Sequence, residues 1–455
     1  MRRVAALLAV AAVMAVACDR GAADPSSPTV VPSFVPPRDT VEEAPGGGVP
    51  DASRQRLVTG DAARVMRELC VAPDLDAGGP APEPESTDSR IAEVEDQVAE
   101  LRGLRWLRPV VAEPVDDEEM DRRIDDAFAA QFPADLYDRR TLAWRAIGAI
   151  GPGEDLHEAL LAFGRGQVVG YYDPQNGELV YLASEGGELG LAAKAVLAHE
   201  LVHALDDQHF DLRRIDALVA ACRDEELAAA LGVVEGSAQH FSTHVLLRYP
   251  APLDEGILDA LAGGGVPEGV PPLVAQLQLS SYTEGQAFVS AIADGRSGPV
   301  DAALEALPPT TEQILHPERW PQDRPTGVEP LDLSGGFGSA DGWRDLDVMQ
   351  IGELWLRELL QLRIDEAIAE RAATGWDGGA YRAWHRPSDD AVAVTMRTAW
   401  DSVADADGFA GAMRAWIDEG ATDAQVVASR TLVDVVFLTG DVSIAGVSEG
   451  GQPPG

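Results

Sequence analysis

Apolar positions recur at helical spacing through much of the first half of the chain. Ile91, Val94, Val98 and Leu101 mark one face of a helix over residues 90–104. Similar patterns predict helices at 59–71, 117–131 and 138–149. The period then changes. Val168, Val169, Tyr171 and Tyr172 form a β-type run, Asp173-Pro174-Gln175-Asn176-Gly177 reads as a turn, and Leu179, Val180, Tyr181 and Leu182 read as the return strand of a hairpin. Helices are expected next at about 189–209 and 225–247. Beyond a Pro- and Gly-rich loop at 251–272, helices fill much of 273–293 and 344–373. The last part alternates again. Strands at 381–384 and 391–398 flank a turn at 386–389, a helix follows near 404–418, and strands lie near 424–428 and 432–438. The pattern as a whole predicts an α+β protein ending in a small α+β module, with no repeat at a fixed period.

The N-terminus carries an address. Arg2 and Arg3 precede an apolar run from Val4 to Ala17, which is short for a membrane span but fits a signal-peptide core. It ends in Ala15-Val16-Ala17-Cys18. Small residues before a cysteine resemble the bacterial lipobox, although Ala15 stands where Leu is usual. Lipidation of Cys18 is expected, with simple cleavage after Ala17 as the alternative. Residues 18–57, rich in Pro, Gly and Ser, read as a disordered tether. The segment 74–89 reads as a polar linker, and 446–455 as a disordered tail. These features divide the chain into a signal peptide (1–17), the tether, a catalytic region (58–250), a helical region (251–373), the C-terminal α+β module (374–445) and the tail.

Charge narrows the partners. With 76 acidic and 35 basic residues the formal net charge is −41. Such a surface repels phosphate backbones, so no nucleic-acid partner is expected. The chain is long enough, and apolar enough, for two or three domains.

The chemistry concentrates in Leu197-Ala198-His199-Glu200-Leu201-Val202-His203-Ala204-Leu205. On a helix His199 and His203 project from one face, with Cβ atoms about 6 Å apart. That spacing lets both imidazoles reach one zinc ion. Glu200 sits at the neighbouring edge of that face, where it can act on a metal-activated water without ligating. Two ordinary histidines on a buried helix would give the same spacing, so the flanks matter. Val233-Val234-Glu235-Gly236-Ser237-Ala238 lies on the next helix and offers Glu235 as a third ligand. Gly236 would let that helix approach the His199 helix closely. His240 and His244, four apart but rotated away from Glu235, are rival ligands, and His209 falls on another face.

These motifs resemble the gluzincin clan of zinc metallopeptidases, thermolysin-like enzymes among them. There the third ligand is a Glu on a helix after the HExxH helix. The resemblance implies a mostly helical thermolysin-like core with a small sheet. It also implies an edge strand before the zinc helix that pairs with extended substrate; Glu178, Leu179, Val180 and Tyr181 are well placed for it. The clan further needs a donor for the oxyanion of the tetrahedral intermediate. His316 in Gln313-Ile314-Leu315-His316-Pro317 is one candidate, and Tyr171, Tyr172 and Tyr282 are others. Arg102-Gly103-Leu104, Tyr171-Tyr172-Asp173-Pro174, Asp207–Leu212, Thr311–Glu318 and Gly375-Trp376 resemble blocks of poorly characterised bacterial extracytoplasmic HExxH proteins. Ser237 stands where such proteins often carry Asp or Glu.

If Cys18 is lipidated, Cys70 and Cys222 are left as an even pair in an oxidising compartment, either as a disulfide or as two free thiols. The expectation is therefore a Zn2+-dependent peptidase outside the cytoplasm. It would act on a peptide or protein substrate, held to a membrane by its N-terminal lipid or else secreted. Its rival is a zinc-stabilised, inactive surface lipoprotein that binds a partner. Only the peptidase needs Glu200.

Overall fold

A computed structural model describes residues 8–11, 57–70, 89–131, 134–182, 189–253, 266–337, 342–420 and 423–440. Cys18, nearly all of the expected tether, the 74–88 part of the linker and the C-terminal tail lie outside these residues.

The elements follow in order. β1 (Leu8–Ala11) precedes α1 (Gly60–Leu69), α2 (Ser89–Arg102), β2 (Val111–Val115), α3 (Asp117–Gln131), α4 (Ala134–Ile147) and α5 (Leu156–Gln167). The hairpin β3 (Val168–Asp173) and β4 (Glu178–Leu182) leads into α6 (Leu191–Phe210), α7 (Asp216–Ala220) and α8 (Asp224–Arg248). Next come α9 (Pro272–Ala293), α10 (Gly298–Glu305) and α11 (Thr311–Leu315). The C-terminal part comprises β5 (Arg344–Gln350), α12 (Glu353–Gln361), α13 (Glu366–Ala373), β6 (Trp376–Arg386), β7 (Ala391–Trp400), α14 (Val403–Gly420), β8 (Ala424–Ser429) and β9 (Leu432–Leu438). The fold class is α+β.

Two sheets organise it. The small one has the order β1-β3-β4-β2; β4 runs antiparallel to β3 and parallel to β2. The large one is antiparallel, in the order β5-β6-β7-β9-β8. Along β7 the side chains alternate between two buried faces. Val392, Val394 and Met396 join Trp144, Phe163, Trp355 and Trp416 under the helices, while Ala393 meets Trp384 and Leu333 on the other side. Val58, Ala62 and Val65 of the α1 region cover more of that second face, against Val348 and Ala380.

Two boundaries therefore move. The stretch 344–350, expected to be helical, is the edge strand β5 of the large sheet. The C-terminal module thus begins near 344 rather than at 374. Arg344-Asp345-Leu346-Asp347-Val348-Met349-Gln350 is a short run that leads almost directly into the next helix, which blurs the period. The module is not separate either, because α4 from the first half packs into its main core.

A second core surrounds α6. The α2 stripe of Ile91, Val94, Val98 and Leu101 packs there with Leu197, Leu201 and Leu205, Val233 and Phe241 of α8, and Phe288 of α9. A disulfide joins Cys70, just past α1, to Cys222, in the turn before α8, with an S–S distance of 2.07 Å.

The α8–α9 contact is set by glycine. A Cβ added at Gly236 would lie 2.2 Å from the carbonyl oxygen of Gly285, and one at Gly285 would lie 2.1 Å from that of Gly232. Gly236 thus serves the approach of α9, not that of α6. Successive residues on a helix are about 100° apart, so with Glu235 aimed at α6 its neighbour faces elsewhere. The obstructing atoms are backbone, which no rotamer change can move aside. Gly285→Ala is therefore expected to lower unfolding free energy by about 1–3 kcal/mol, read from urea midpoints. An unchanged midpoint would contradict this packing.

Candidate metal centre

The site is built on α6, a helix apolar on nearly every face and enclosed by α2, α8, β3 and β4. Leu197, Leu201, Ala204 and Leu205 are buried and fix its rotation. One turn apart on it, the His199 and His203 rings meet edge to face with centroids 4.7 Å apart. Glu235 reaches them from α8. Its Oε2 is 3.1 Å from Nε2 of His199 and 3.4 Å from Nε2 of His203. Donor atoms of the three residues all lie within 4.8 Å of one another.

The electrostatics suit a cation. Burial lowers the His199 pKa, against an opposing pull from Glu235. The neutral imidazole it favours is the form that ligates. Burial alone would raise Glu235, but the two histidines outweigh it and bring the carboxyl down to about 2. Burial, and then the charge of Glu235, push the Glu200 carboxyl well above the usual carboxylate range. Neither nitrogen of His203 and neither carboxylate oxygen of Glu200 has a hydrogen-bond partner among the described residues. Buried polar atoms left in that state are costly. A divalent ion on the two imidazoles and the Glu235 carboxylate would engage one of the His203 nitrogens, and a water bound to it could reach Glu200; this donor set suits zinc.

Behind the ligands lies a buried network that the sequence reading did not assign. Arg102, at the end of α2, is completely buried and donates from Nε to Asp206 at 2.7 Å. Ser237 donates its hydroxyl to the other oxygen of Asp206, also at 2.7 Å. Asp206 is three residues past His203 and Ser237 is two past Glu235, so one carboxylate ties the two ligand helices together. Arg102 also pairs with Asp301 of α10 and lies over the Phe241 ring. The neighbouring Asp207 ties α6 to the sheet: it accepts from the Tyr172 hydroxyl at 2.8 Å and from Arg108 at 3.0 Å. The signal for Arg102 was a charge closing an otherwise apolar stripe; Asp206 gave none.

Other expected residues are placed differently. Strand β4, with Glu178, Leu179, Val180 and Tyr181, has β3 on one side and β2 on the other, so neither edge is open to substrate. The strand whose outer edge takes an added segment is β3. Leu8–Ala11, from the expected signal peptide, pairs there, with Leu8 opposite Tyr172. His316 is committed elsewhere, its Nε2 lying 2.9 Å from the buried Glu353 carboxylate. The Tyr282 ring instead lies beside the ligands, with its centroid 6.2 Å from that of His199. The His240 and His244 rings lie tilted against each other with centroids 4.4 Å apart, and His240 contacts Ser290. His209 bonds the Arg105 carbonyl. Among the described residues, no cluster of metal-ligand types besides His199, His203 and Glu235 has suitable spacing.

Residues 344–443 match a family described as "Domain of unknown function (DUF8575)", a segment that begins with β5 and spans the large sheet. No curated protein and no solved structure matches the chain.

Removing Asp206 strands a buried guanidinium with one remaining carboxylate. Asp206→Ala is expected to cost about 3–5 kcal/mol of stability. Ser237→Ala removes a single neutral donor and should cost about 1 kcal/mol. Urea unfolding of metal-stripped protein separates the two, and equal losses would show that Asp206 is not the joint.

Proposed function

We propose that this chain is a zinc-dependent peptidase of the gluzincin type, with His199, His203 and Glu235 as ligands and Glu200 as general base. The observation that carries the reading is the convergence of two imidazoles and one carboxylate on a point beside a fully buried second carboxylate. When bound, zinc would supply Lewis-acid polarisation of the scissile carbonyl and acidify the attacking water. Glu200 takes a proton from that water and passes it to the leaving amine. Tyr282, beside His199, replaces His316 as our choice of oxyanion donor. Leu8–Ala11 holds the outer edge of β3, so cleavage of the expected signal peptide frees that edge for the substrate backbone to add in extended form. The lipobox-like Cys18 supports a site of action outside the cytoplasm, on a membrane anchor, and the Cys70–Cys222 bridge accords with an oxidising compartment.

The test is zinc content measured beside turnover of a peptide library. His199→Ala, His203→Ala and Glu235→Ala should each lose metal. Glu200→Gln should keep metal and fold, yet lose activity by about 100-fold or more. A fully active Glu200→Gln protein rules out the hydrolytic mechanism. A zinc-loaded wild type that cleaves nothing favours the inactive binding lipoprotein.

A further inference from the structure

A cavity of about 250 Å³ lies alongside the metal centre and reaches well beyond it. One wall is a face of α8 that runs from Asp224 through Leu227 and Leu231 to the ligand Glu235. At 1.5 Å per residue, that face is about 16 Å long. Leu156, Leu160 and Phe163 of α5 form a second wall, and Leu277 and Tyr282 of α9 lie on a third. The space is therefore a slot. The ligand Glu235 and Tyr282 stand at one end of it, and Arg140 with Asp224 at the other.

Its lining calls for apolar contents. The charged groups along it already have partners. Arg140 pairs with Asp224 and Asp347, Glu284 with Arg357, and Glu225 accepts from both the backbone and the hydroxyl of Thr311. The remaining walls are mostly aliphatic or aromatic, so water gains little there. The length is the more selective property. An extended chain advances roughly 1.2 Å per bond, so even an arginine side chain, about six bonds long, spans roughly half the slot. An ordinary peptide side chain would leave the far half empty.

We propose that the slot receives a straight hydrocarbon chain of about a dozen carbons carried by the substrate, so that the peptidase acts on acylated peptides. This rests on the peptidase reading for the cleavage alone. The binding of the chain stands on the slot itself.

The experiment uses zinc-loaded Glu200→Gln protein and a series of N-acyl-Ala-Ala amides with straight chains of increasing length, from about four to sixteen carbons, titrated by calorimetry. The dissociation constant should fall roughly fourfold per added methylene until the slot is full, and then level off. Leu231→Trp and Leu160→Trp each fill part of the slot and should move that plateau to shorter chains at unchanged zinc content. No dependence on length, or a slope that continues unbroken to the longest chain, overturns the proposal. So does a plateau that both variants leave in place. The two readings fail separately. If wild type binds the series with a plateau yet hydrolyses none of it, the slot stands and the peptidase falls. If it cleaves unacylated peptides equally well and gains nothing from the chain, the peptidase stands and the slot falls.

Discussion

Asp206 is a charge that the interior can hold only because Arg102 arrives with it. Helix α6 has no solvent-facing side along its middle, so every polar group on it must find its answer inside the protein. Arg102 closes α2 onto α6, and Ser237 brings α8 to the same carboxylate. Once those three elements are locked, the rotation of α6 about its axis and the depth of α8 are both set. The His199, His203 and Glu235 donors then have little freedom in where they point. The apolar core supplies most of the cohesion. The ion pair supplies the register, since a helix slipped by one residue would leave a bare charge in hydrocarbon.

What could be read from the sequence was local. Two histidines four positions apart are a statement about one helix face, and Glu235 in its apolar setting is a statement about the next helix. Both ligand helices begin and end within a few residues of expectation. The misreadings share a cause: each depended on a partner remote in sequence. The inner position of β4 follows from β2, which joins it in parallel from more than sixty residues upstream. The role of Gly236 follows from Gly285. His316 was the first choice of oxyanion donor, but its imidazole is taken up by Glu353, and Tyr282, one of three alternatives, is the one whose ring α9 brings beside His199. The strand at 344–350 was missed for a different reason. Leu346 and Val348 do alternate with Asp345 and Asp347, but the run is short and merges with the helix that starts at Glu353.

The small sheet and the large one divide the work. The small sheet lies against α6, and Tyr172 connects it physically to that helix through Asp207. The large sheet carries none of the three metal-ligand candidates, but its β5 and the helix after it also line the slot. The matched family segment and the metal centre are therefore different parts of one packed body, joined at the Arg140–Asp224–Asp347 cluster between α4, α8 and β5.

The Cys70–Cys222 bond has a topological consequence. Residues 70–222 form a covalent ring that contains both histidine ligands, while Glu235 lies thirteen residues outside it. A metal ion shared by the three would close a second loop across the first, so the site would be held by two locks of different chemistry. One yields to a thiol and the other to a chelator. A single break in the backbone anywhere between 71 and 221 would still leave one molecule, its two ends joined through sulfur. Such a chain can be nicked without coming apart.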